Sequence, residues 1–240
     1  MSQYFTNFPT TQYDLFFDNQ KSEVVDLFRV VKVKKQFKDD VTFYTFYNIQ
    51  DGERPDIVST KLYGTPDYYW TFFMVNDNLV NIHTDWPLGT TELQHLVDKK
   101  YPGVVLTTNE DISTKFVKGN RIAGLVSGAQ AKLIDKDPNL GIMRIEVISG
   151  TFVPNEIVRD IATNEYVIIS GEAYWKDTPH HYENARGDHV IKSTVGATPI
   201  SNEEHEFNLN DAKTKIKIIR PQYIQSIADQ FIEQIKTEEA

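Results

Sequence analysis

The chain has 240 residues, 40% of them hydrophobic and 12% aromatic, with a formal net charge of −9 and no cysteine. No basic excess exists to neutralise phosphates or anionic headgroups, so a general nucleic-acid binder or a membrane-surface protein is not expected. The lack of Cys excludes disulfides and thiolate metal sites and suits synthesis in a cytoplasm.

The first stretch, MSQYFTNFPTTQYDLFF, has no basic n-region and no long apolar core, so neither a signal peptide nor a membrane span is expected. Residues 1–22 read as an extended arm. Phe5, Phe8, Tyr13, Phe16 and Phe17 stand there among Asn, Gln and Thr. So many aromatics would be poorly soluble if free, which predicts that the arm lies on its own protein or on a neighbouring subunit. Residues 23–50 read as two strands. Leu27, Val31 and Val33 alternate with Phe28, Val30 and Lys32, and Lys38-Asp39-Asp40 supplies a turn. Val41–Tyr47 is β-prone on both faces, which predicts a strand covered on both sides.

Residues 51–101 predict three helices. Pro55 suits a first helical turn, Ile57, Val58, Lys61 and Leu62 give a stripe, and Gly64 is a left-handed cap. Thr65-Pro66-Asp67 restarts the chain with a capping Thr. Tyr69, Phe72 and Phe73 then share one face, and Asn76-Asp77-Asn78 ends the second helix. In the run Tyr68-Tyr69-Trp70 the side chains are 100° apart on a helix, so Tyr68 and Trp70 are core residues or interface residues. A third helix is expected from about Thr90, burying Leu93, Leu96 and Val97, with Lys99 and Lys100 at its negative end.

Residues 104–175 are Gly-rich with short β runs, including Ala131–Ile134 and Ile142–Ile148, separated by turns around Ser127-Gly128 and Ser149-Gly150. That spacing predicts a small barrel or sandwich. Thr178–Val190 reads as a polar turn region and Thr194–Asn210 as an acidic loop. Lys213–Arg220 alternates as a strand. Pro221 opens a helix with Ile224, Ile227, Ala228, Phe231, Ile232 and Ile235 on one face, a docking surface for this chain or a partner.

Chemistry-bearing motifs are scarce. His180, His181, Glu183, Asp188 and His189 have metal-ligand types, yet adjacent histidines on a strand would point to opposite faces and no HExxH spacing occurs. A hydrogen-bonded turn is the favoured reading, and no metal, cofactor or catalytic residue is assigned. There is no GxSxG elbow, Walker loop or GxGxxG.

The string GERPDIVSTKLYGTPDYYWTFFMVNDN, followed by DWPL, resembles the LysM-like baseplate wedge protein of T-even-type contractile-tailed bacteriophages. Arg54, Pro55, Asp56, Tyr63, Gly64, Trp70, Asn76, Trp86, Pro87 and Leu88 carry the resemblance, over about 50 residues. It implies an α+β fold: a LysM-like βααβ-type module with a β-ribbon, an inserted small β-barrel or sandwich domain, and a C-terminal helix. The expected divisions are an arm at 1–22, ribbon and LysM-like module at 23–106, a barrel-like insert at 107–175, and a turn, strand and amphipathic helix at 176–240. The resemblance also implies a structural, non-enzymatic virion protein that clamps neighbouring wedges around a hub, in copies set by sixfold symmetry. Implied partners are other wedge proteins (the paired wedge-core proteins and a small lysozyme-like-fold wedge protein) and hub or tube-initiator proteins, with neither nucleic acid nor membrane. Candidate interface residues are Phe5, Phe8, Tyr13, Phe16, Tyr68, Trp70, Asn76, Trp86, Tyr223, Ile227, Phe231 and Ile235. The competing readings are a soluble LysM-type binder of peptidoglycan or chitin, whose exposed aromatics would stack on sugars, and an enzyme built on the His180–His189 turn.

Overall fold

The computed structural model describes residues 8–15, 17, 19–26, 40–81 and 83–237. The chain divides into two compact units, residues 1–90 with 210–240, and residues 91–209. The expected strand built on the alternation from Leu27 to Val33 lies outside the described residues. Among the described residues, no helix is long and apolar enough to cross a membrane.

The first unit contains a hairpin of β1 (Thr10–Tyr13) and β2 (Ser22–Val25), so residues of the N-terminal arm pair with residues just beyond it. Its second sheet is a ribbon. Strand β3 (Tyr44–Asn48) pairs antiparallel with β13 (Lys215–Ile219), in register from Tyr44 opposite Ile219 to Asn48 opposite Lys215. One face is covered: Tyr47, Ile216 and Ile218 join the core, while Phe46 stays 53% exposed beneath Lys215. The two-sided cover expected for this strand is therefore absent at Phe46, where a cation on the aromatic face replaces apolar packing.

Between these strands in the sequence come α1 (Pro55–Tyr63), a 3₁₀ turn (Pro66–Tyr68) and α2 (Trp70–Val75). Pro55 takes the first turn, and Gly64 ends α1 at φ +76°, its amide returning to the Thr60 carbonyl. Thr65 accepts the Asp67 amide, as a capping hydroxyl should. Val58 is fully buried, whereas Ile57 is exposed. Helix α3 (Thr90–Lys100) starts where the Asp51 carboxylate accepts both the Thr90 amide and its hydroxyl. It buries Leu93 and Val97 but leaves Leu96 41% exposed. Beyond Thr90, α3 belongs to the second unit, whereas the final helix, α5 (Pro221–Thr237), buries Ile224, Ile227, Ala228, Phe231 and Ile235 within the first.

The second unit is built on a closed six-stranded barrel in the order β4–β7–β6–β5–β8–β9 (Val104–Thr108, Ile142–Ser149, Gln130–Asp137, Arg121–Gly124, Ile157–Asp160, Tyr166–Tyr174). Period-two alternation sends Leu106, Ile122, Leu133, Met143, Val158, Val167 and Ile169 inward, and Ile112, Phe116 and Phe152 pack with them. The sandwich-or-barrel expectation is thus resolved as a barrel. A small antiparallel sheet, β11–β10–β12 (His189–Val190, Pro179–Glu183, Thr198–Ser201), follows, so the polar turn region is a hairpin. The acidic loop expected at Thr194–Asn210 is instead β12 and helix α4 (Asn202–Asp211). The segment NEEHEFNLND shows no apolar stripe, which hid it. The helix forms because Ser201 accepts the Glu204 amide and because acidic Glu203 and Glu204 sit at its positive end.

Candidate functional site

The proposed interface residues fall into three groups. Phe5 and Phe16 lie outside the described residues. Tyr13 is half exposed on β1. The others are largely held inside the first unit. Trp70 stacks on Phe231 at 4.9 Å, Ala228 and Ile235 complete that cluster, and Phe8 and Tyr68 pack against it. Tyr223 meets Phe43 edge-on at 5.3 Å, beside Ile227. Trp86 is buried beside Phe72, and its indole N–H donates 2.6 Å to the Glu53 carbonyl.

Asn76 is buried at the end of α2. Its amide nitrogen donates to the carbonyls of Phe72 and Lys217, both at 2.8 Å, and its oxygen accepts the Lys217 amide at 2.8 Å. It therefore occupies the edge of β13 that β3 leaves open, as a further strand would. Tyr63 donates its hydroxyl to the Ile219 carbonyl at 2.9 Å, and burial pushes its phenol well above the ordinary range. Leu88 and Asn210 exchange two hydrogen bonds, closing the same unit. Glu53 accepts Lys61 and the Tyr47 hydroxyl, joining α1 to β3. Burial raises the Glu53 carboxyl, but Lys61 and the Gln50 amide outweigh that and hold it below its usual range.

The second unit gathers four histidines. His180 Nδ1 lies 2.9 Å from His181 Nδ1, and His181 Nε2 lies 2.9 Å from a Glu183 carboxylate oxygen. His205 stacks on His180 at 3.8 Å with planes 8° apart, and His189 stacks on His181 at 3.9 Å. The expectation that adjacent histidines face apart fails at a bulge. Pro179 pairs with Ser201 and His181 with Ile200, so His180 is an extra residue in β10. Asn202 fixes the start of α4: its amide and side chain both donate to the Thr178 carbonyl, and its side chain also reaches Trp175. His205, one turn later, meets His180 for that reason. No spacing rule in the sequence links these two residues.

Burial and the neighbouring His205 and His181 hold His180 below the usual imidazole range. Burial likewise lowers His205, against the opposing pull of Glu206. The Glu206 carboxyl is raised by burial but lowered further by Lys100 at 2.6 Å and Tyr101 at 2.8 Å, so it stays ionised. An open cleft of about 910 Å³ borders His180, His181 and His189. His180, His181 and His205 each offer a ligand atom, all within 4.8 Å of one another; so do His181, Glu183 and His189.

Compared with known families, residues 3–116 match the base plate wedge protein 53. That region, just under half of the chain, is similar to the base plate wedge family. No curated protein matches the chain. A base plate wedge protein belongs to the phage tail, and the match supports a place in the virion baseplate for this chain. The match takes in β1 to β4 and ends at Phe116, in the β4–β5 connection, so the remaining barrel strands and the four histidines fall beyond it. The residues that carry the wedge resemblance are largely architectural: Pro55 and Gly64 bound α1, Asn76 covers β13, and Trp86 ties to Glu53.

Proposed function

We propose that this wedge protein is a non-catalytic clamp that joins neighbouring wedges around the hub. The observation that carries the reading is the wedge-family match over residues 3–116. It is supported by the apolar side chains that the same stretch leaves outside its own core: Tyr13, Leu15, Phe17 and Val25 on the hairpin, and Phe46, Ile57 and Val80 elsewhere. Exposed apolar groups of this kind are available to contact other proteins. On this reading the buried candidates, Trp70, Asn76, Trp86 and Phe231, hold the shape of that surface, while Tyr13 and its hairpin touch the neighbour.

The element order β3, α1, α2 and β13 supports the reading of a LysM-like βααβ module with the second unit inserted before its last strand. A glycan-binding role draws no support from the tryptophans of this unit, since Trp70 and Trp86 are covered by their own chain. Partners in this reading are the wedge-core proteins, the small lysozyme-like-fold wedge protein and hub or tube-initiator proteins. The test is cross-linking mass spectrometry of purified virions. The clamp reading expects about six copies or a multiple, by closed symmetry, with links from the hairpin to other baseplate proteins. A chain missing from virions, or present with no link beyond itself, overturns it.

A further inference from the structure

We propose that His180, His181 and His205 form a three-nitrogen site for a divalent transition-metal ion, with Glu183 as the residue that orients His181. The donors come from two elements locked together: the bulge in β10 and the first turn of α4, fixed through Asn202. Their ligand atoms already lie within 4.8 Å of one another, and the closest pair, Nδ1 of His180 and Nδ1 of His181, is at 2.9 Å. Two imidazoles on a tetrahedral ion at ordinary bond lengths stand about 3.3 Å apart, so that pair needs to open by only a few tenths of an ångström, while the His205 ring, now 8° from parallel to His180, must turn out of that stack to aim its lone pair at the ion.

The hydrogen bonds favour this set over the overlapping one. The His181 Nε2–H donates to Glu183, which leaves the Nδ1 lone pair turned toward His180. A ligating histidine whose other N–H is held by a carboxylate is the common arrangement at metal centres. Glu183 is then an orienter, which leaves the overlapping set without its carboxylate donor and His189 outside the site. The proton shared between the two Nδ1 atoms gives way to the ion. Imidazole donors select Zn²⁺, Co²⁺, Ni²⁺ or Cu²⁺ rather than Mg²⁺ or Ca²⁺. Bound there, the ion would tie the β10 bulge to α4 inside the second unit.

The test uses the tag-free full-length chain, with Zn²⁺ titrated against a chromogenic chelator and Co²⁺ followed by its visible absorption. One Zn²⁺ per chain is expected, with Mg²⁺ failing to compete. His205→Phe keeps a ring on His180 and removes the donor; it and His180→Ala should each weaken Zn²⁺ binding at least about 100-fold, and Glu183→Gln about 10- to 100-fold. His189→Ala should stay within about threefold of the native chain. Circular dichroism melts of the metal-free variants establish that they are folded. Absence of saturable Zn²⁺ binding, or equal affinity in a folded His205→Phe, overturns the proposal. Binding lost in His189→Ala but retained in His205→Phe also overturns it, and assigns the ion to His181, Glu183 and His189.

Discussion

Asn76 is the side chain whose removal says most about the first unit. It is 7% exposed and makes three hydrogen bonds of 2.8 Å, two of them to Lys217, 141 residues away. Asn76→Ala removes three bonds worth about 0.5–1.5 kcal/mol each and leaves the half-buried Lys217 amide without that partner, so a loss of about 3 kcal/mol is expected. With a urea dependence of about 2 kcal/mol/M, the unfolding midpoint should fall by about 1.5 M. Tryptophan fluorescence reads this unit if Trp175 is first changed to Phe, because Trp70 and Trp86 then remain. Asn76→Asp is the sharper test. A carboxylate there would face two carbonyl oxygens, which raises its folded pKa above the ordinary value of about 3.9. A raised acid means that the folded state holds the proton more tightly, so the penalty relative to the native chain grows as pH rises from about 4 to 7. A midpoint within about 0.3 M of the native value for Asn76→Ala, or an Asp variant whose deficit does not change with pH, would refute the edge-covering role.

Phe231→Ala should cost about 3–4 kcal/mol by emptying the cluster against Trp70, lowering the melting point of this unit by about 12 °C in calorimetry. Tyr13→Ala, on the exposed hairpin, should leave melting within about 0.5 kcal/mol of native while reducing incorporation into virions; a large loss of melting point would place Tyr13 in the core instead. Glu156, 2% exposed, accepts the amides of Val126, Ser127 and Val153 and the Ser127 hydroxyl. Burial raises its carboxyl, but those donors outweigh it and hold the group below its ordinary 4.5. The stability it contributes is therefore full above pH 4.5 and is lost as pH falls through the depressed folded value. Glu156→Gln should destabilise the barrel by about 1–3 kcal/mol at pH 7 and make its acid unfolding curve shallower, though not flat, because Asp160 is depressed in the same way. An unchanged acid profile would show that Glu156 is not the clasp.

Most local structure was legible from local chemistry. Pro55 and Gly64 mark the ends of α1 because one lacks an amide hydrogen and the other lacks a Cβ, and both effects act within a single turn. The apolar period of Pro221–Thr237 foretold a helix, and the Gly-rich short strands foretold a barrel or a sandwich, because side-chain direction follows backbone period; the closed barrel was decided by the fold. The string from Arg54 to Leu88 carried the resemblance to the wedge family, and it sits inside the matched region. Periodicity is silent on which elements meet. It could not say that the open strand β3 waits for β13, on the far side of a whole inserted unit, nor that Trp70 and Asn76 belong to the core. Nor could it expose α4, whose ten residues have no apolar stripe and are ordered by Ser201, Asn202 and a buried Glu206 bonded to Lys100 and Tyr101. The histidine cluster belongs to the same class: one extra residue in β10 reverses the alternation rule, and His205 arrives from another element. Helix caps and strand alternation are settled within a few bonds of the residue concerned, whereas pairing partners, bulges and buried polar contacts are settled by long-range packing, which only the folded chain brings about.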